Sequence, residues 1–100
     1  MSVLIILADP ESMSCGTTPH YLVPASELTS DVDRVLAAMD GNYERNHLWF
    51  DRYDAVVVPF LRTLVAQGKA AYRKTRRVHI DAERPVSRVI MLCCGPDNDV

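Results

Sequence analysis

The sequence predicts one α+β domain of two layers, a small and mostly antiparallel sheet covered on one face by an α-hairpin, in the order β-α-α-β-β. Three observations lead there. An apolar run opens the chain, helical spacing of apolar residues follows through its middle, and an alternating run precedes a second apolar one near the end. With 100 residues, 48% of them apolar and 24% charged, the chain has material for one core, so residues 1–100 read as a single domain.

The opening run, "VLIILA" at 3–8, is short, continuous and stopped by Asp9-Pro10, which predicts a strand buried on both faces. Residues 9–24 then read as a long loop, with "SMSCGTTPHYLVP" as its body. A first helix follows Pro24, with Ser26 as N-cap and Glu27, Asp31 and Asp33 in the early turns that favour negative charge. Leu28, Val32, Val35, Leu36 and Met39 form its apolar face, and Asp40-Gly41-Asn42 ends it.

Residues 45–75 admit two readings. Trp49, Tyr53, Val57, Phe60, Leu64, Gly68 and Ala71 keep to one helical stripe, which predicts a long helix kinked at Pro59. Ala55 to Pro59 is also a β-branched run closed by proline, and a strand there changes the order to β-α-β-α-β-β. A straight helix over the whole segment would be about 46 Å long, too long for so small a domain without a break. The chain closes as a hairpin: "RVHIDA" (77–82) as an edge strand, a turn at Glu83-Arg84-Pro85, and "VSRVIMLCC" (86–94) as an inner strand. A flexible polar tail is expected at 95–100.

Several function classes lack support. No apolar stretch reaches the roughly 18 residues of a membrane span, and the opening run has no basic segment before it, unlike a secretory leader. Three cysteines, Cys15, Cys93 and Cys94, make a poor disulfide framework and point to the cytoplasm. His20, His47 and His79 are scattered without CxxC or HxxxH spacing, so neither metal nor cofactor is expected.

An enzyme reading would rest on Cys15 or Asp9 with a histidine. His20 lies five positions after Cys15, but the loop lacks the arginine of a phosphatase loop and the Gly-Lys pattern of a P-loop. Asp81 and His79 share one face of the expected edge strand without a further partner. The plainer reading of 12–24 is a surface loop whose hydroxyls bond to nearby backbone.

Charge is the most uneven feature. Residues 69–88 hold Lys69, Arg73, Lys74, Arg76, Arg77, Arg84 and Arg88, opposed only by Asp81 and Glu83, a net +5. The remainder carries −7, within a total of −2. If the helices are antiparallel, the basic end of the second runs past the first, unneutralised by Glu27, Asp31 and Asp33. Trp49 beside Phe50 adds an aromatic candidate, since one ring points away from a shared core face unless both are half-buried.

These features favour a small non-enzymatic binding, inhibitor or accessory protein, of the kind phages direct at larger machines. Its basic helix end would engage an acidic protein surface or nucleic acid. A self-associating module, with a second copy's acidic helix as partner, and a simple solvated basic face are the other readings.

Overall fold

The computed structural model describes residues 1–8, 16–42, 44–78 and 82–93. Four strands, β1 (Ser2–Ala8), β2 (Thr18–Pro24), β3 (Ala71–Thr75) and β4 (Val86–Cys93), form one sheet in the order β3-β2-β1-β4. Between β2 and β3 lie two helices, α1 (Ser30–Met39) and α2 (Val58–Ala66). The α+β class holds, and the order along the chain is β-β-α-α-β-β.

Strand β1 takes the centre because it has no polar face to expose. Val3 and Ile5 face the helices, while Leu4 and Ile6 face the other side, and none of the four is more than 9% exposed. Such a strand needs partners on both edges. It pairs antiparallel with β2, from Ser2↔Pro24 to Ile6↔His20, and parallel with β4, from Val3↔Arg88 to Ala8↔Cys93. A bulge between Ser2 and Val3 sets the register of the parallel pair.

The main core joins Val3, Ile5, Val23, Ile90 and Leu92 of the sheet to Val32, Val35, Leu36 and Met39 of α1 and to Val57, Leu61 and Leu64. Helix α1 starts later than the sequence predicts. Ala25–Glu27 forms a separate 3-10 turn, and Thr29, not Ser26, caps the helix by accepting a hydrogen bond from Val32 N–H at 3.3 Å. The apolar face and the stop at Asp40 are as expected. Asp40 then binds this end to β4: its carboxylate accepts from Met91 N–H at 2.8 Å, and Gly41 N–H donates to Met91 C=O at 2.9 Å.

Residues 46–66 are helical throughout, so Ala55–Val58 is not a strand. The run starts as a 3-10 turn (Asn46–Trp49) and widens into a π turn (Tyr53–Val57), where Val58 N–H reaches back to Tyr53 C=O. Pro59 follows in the first turn of α2. Its ring would crowd the carbonyl four residues earlier in a regular helix, and the wider turn immediately upstream relieves that clash.

The helix stops well short of residue 75. Gly68, at φ +72°, donates to Val65 C=O, and Lys69 N–H donates to Leu64 C=O, a Schellman close. Gly68 and Ala71, assigned by sequence to the helical stripe, are therefore a cap and the first residue of β3. Of the expected hairpin, the inner strand is present as β4, which pairs with β1 at the edge of the sheet opposite β3. Arg77, Val78 and Ala82 of the expected 77–82 strand lie outside strands, and 79–81 are not among the described residues. Val78 packs against the Leu4, Ile6 and Leu22 cluster, which places this part of the connection from β3 to β4 on the helix-free face. Among the described residues, no helix is long and apolar enough to cross a membrane.

Two substitutions test this packing. Ile5→Ala should cost about 3 kcal/mol, as expected for a fully buried aliphatic side chain. Gly68→Ala adds a Cβ that meets no atom within 4 Å, so only its positive φ is penalised, by about 1 kcal/mol. Urea midpoints at unchanged m would show both.

Candidate functional site

The seven basic candidates do not form one patch. Strand β3 runs parallel to β1 and β4, because each is antiparallel to β2 or pairs in parallel with β1. Arg76 and Arg77 thus leave β3 at one end of the sheet, while Arg84 and Arg88 stand at the start of β4, at the opposite end and opposite edge. Two cations are neutralised. Lys69 pairs with Glu27 at 3.5 Å, and Arg88 is hydrogen-bonded to Asp33 of α1. The acids expected to leave the basic segment unopposed are the ones that reach it, because Lys69 precedes β3 and lies near the start of the helical layer. Both pairs are substantially exposed, so each contributes well under about 1 kcal/mol.

Of the five that remain, Arg84 lies just before β4, and Arg73, Lys74, Arg76 and Arg77 gather on an edge strand and its exit rather than on a helix end. Among the described residues, none of the four is ion-paired. Alternation along β3 sends Arg73 and Thr75 to the helix-free face and Tyr72 and Lys74 to the helical side. Arg73 stands in register with His20 of β2, itself opposite Ile6. Residues directly opposite one another share a face, so Arg73 borders the second apolar cluster.

Arg73, Thr75, Arg76 and Arg77 line an open cleft of about 590 Å³. The Thr75 hydroxyl donates to Arg77 C=O, which fastens the turn that presents Arg76 and Arg77. Arg73 is half-buried. Its Nη1 is shielded from solvent and has no hydrogen-bond partner among the described residues. A charged donor left in that condition costs about 1–3 kcal/mol or more.

Trp49 is not part of this surface. It sits in the helical layer, half-buried against the main core as Phe50 is, and lines a separate cleft of about 420 Å³ with Arg34, Leu48 and Arg52. His20, read as a loop residue, is a buried member of β2 whose Nδ1 lies 2.8 Å from Thr18 C=O. Asp9, Cys15, His79, Asp81, Cys94 and the 95–100 tail lie outside the described residues. His47 is exposed in the 3-10 turn. Among the described residues, no group of three His, Cys, Asp or Glu side chains is placed to hold a metal ion.

Sequence reasoning passed over Thr75. Its one visible signal is its position between the two pairs of cations, and its value lies in a backbone bond that only the turn creates. No protein-family model matches this chain, and comparison with curated proteins and with solved structures found no significant match.

On the helical side of the same strands, the rings of Tyr21 and Tyr72 meet at 4.7 Å between centroids. Burial pushes the Tyr21 hydroxyl above its ordinary value of 10.0; the charge of Tyr72 adds to the shift and Arg62 opposes it. The folded state keeps a proton that the unfolded chain gives up near that value, so stability should fall as pH rises above it. Tyr21→Phe should remove one tyrosinate absorbance step above the ordinary value and flatten the alkaline loss of stability.

Proposed function

We propose that this protein acts by binding, and that it engages an acidic protein surface through the basic end of β3, with Arg73, Lys74, Arg76 and Arg77 as contacts. The observation that carries this reading is the contrast between two groups of cations. Lys69 and Arg88 have carboxylate partners within the chain, whereas the four at β3 are not ion-paired among the described residues. Unpaired cations on one short edge steer association with an opposite charge.

An acidic protein fits better than nucleic acid. Tyr72 is the one aromatic among these cations, and its ring is engaged with Tyr21, so no stacking platform accompanies the charge. The net charge of −2 also repels a long polyanion beyond the local patch. A second copy fits less well, because Glu27 and Asp33 of the acidic helical side already hold Lys69 and Arg88. A role as a small accessory or inhibitory subunit in the cytoplasm suits one compact binding surface and three cysteines of odd count.

The test uses immobilised protein, a synthetic polyglutamate peptide and a single-stranded oligonucleotide. The peptide should be retained at low ionic strength and released as salt approaches about 0.15 M, where screening acts within about 8 Å. The R76E/R77E variant, with an unchanged circular dichroism spectrum, should lose retention by at least about tenfold. Equal retention by that variant would return these cations to a solvated face. Preference for the oligonucleotide would transfer the surface to nucleic acid.

A further inference from the structure

We propose that the cleft lined by Arg73, Arg76 and Arg77 is a phosphoryl-binding site that takes a phosphomonoester dianion against the Arg73 guanidinium. This rests on reading the basic end of β3 as the binding surface, and it names the group recognised there.

Three arginines line one cleft of about 590 Å³, with no carboxylate among the described residues that line it. Arginine presents its N–H groups as a rigid planar fork, matched to two oxygens of one oxyanion. Lysine is a point charge, and Lys74, on the other face of β3, lies outside the cleft. Three arginines gathered on one concave surface therefore select for geometry as well as for charge.

Arg73 sharpens the choice. Its Nη1 is hidden from solvent without a hydrogen-bond partner among the described residues, so the guanidinium beside the cleft carries a charged donor that those residues do not satisfy. The Thr75 hydroxyl is committed to Arg77 C=O, which leaves recognition to the guanidinium groups. Among common acceptors, a carboxylate brings one charge and two oxygens. A phosphomonoester brings about −1.5 to −2 charge at neutral pH and three acceptor oxygens. The second balances three guanidinium groups more closely, and the open cleft has room for whatever carries the phosphoryl group.

The source of the group is either a free phosphate species or a phosphorylated side chain on the acidic partner, and the experiment separates them. Arginine Nε–Hε resonances of the full chain would be followed during titration with inorganic phosphate, N-acetylphosphoserine amide and N-acetylglutamate amide. The Arg73 resonance should shift saturably, with phosphoserine at least about tenfold tighter than glutamate. Tighter binding of phosphoserine than of inorganic phosphate assigns the site to a phosphorylated partner, and the reverse assigns it to a free phosphate species. Arg73→Lys should keep the charge and lose the tenfold preference, and the exposed Arg77→Lys should weaken phosphoserine binding several-fold if Arg73→Lys does not fold. Arg45→Gln, at a residue outside the described lining of the cleft, serves as the unaffected control.

Linear shifts shared by all arginines, or equal affinity for glutamate and phosphoserine, would overturn the phosphoryl site. If polyglutamate retention still falls in R76E/R77E, that result removes the phosphoryl site alone and leaves the acidic-surface reading intact. Saturable phosphoserine binding without polyglutamate retention has the opposite meaning: the site stands and the broad acidic surface does not.

Discussion

Val3, Leu4, Ile5 and Ile6 are all buried, and a strand with no solvent face has to be covered twice and paired on both edges. The remaining architecture follows from that demand. Helices α1 and α2 cover the Val3 and Ile5 side. The Leu4 and Ile6 side is covered without a helix among the described residues, by side chains of the sheet and by Val78 from the connection between β3 and β4. Because β4 must run parallel to β1, the chain leaving β3 has to cross from one edge of the sheet to the other. The segment that brings Val78 onto the second apolar cluster also carries Arg76 and Arg77 out of β3 into the turn that Thr75 fastens.

The two edges of the sheet are managed by different physics. At β4, the end of α1 closes part of the edge: Asp40 and Gly41 take the backbone N–H and C=O of Met91. At β3, positive charge does the work. A row of lysine and arginine repels a second β3 and so prevents edge-to-edge pairing of like copies. The same row is the surface proposed above for an acidic partner, which would make protection from aggregation and selection of a ligand one property of this strand. Arg73 is where the two roles part, since a half-buried guanidinium whose hidden nitrogen has no hydrogen-bond partner among the described residues is more than edge protection requires.

Much of the helical layer was legible in the residues. The face of α1 and the stripe from Trp49 to Leu64 are buried or half-buried as their spacing predicts, and Pro59 marks the place where the helix is irregular. The stripe misled where it ran on through Gly68 and Ala71. Spacing counts apolar positions but does not register that Gly68 at positive φ ends a helix, and a single glycine can serve either purpose until its backbone is known. The basic cluster was legible as charge and misplaced as structure. Spacing gathers all seven cations into one segment of the sequence; the order of strands divides them between two ends of the sheet, and two of them find carboxylates.

By itself the sequence determined the α+β class, the doubly buried first strand, the last apolar strand, and the faces of both helices, because each depends on local hydrophobic periodicity. Only the tertiary structure decided that 18–24 and 71–75 are strands. β2 holds prolines at its second and last positions, and β3 carries mostly lysine, arginine and polar side chains. Neither has the composition to declare itself, and each is held by backbone pairing to a neighbour distant in the chain. Which cations share a cleft was decided in the same way, since the distance between Arg73 and Arg88 depends on the order of strands in the sheet and not on their spacing in the sequence.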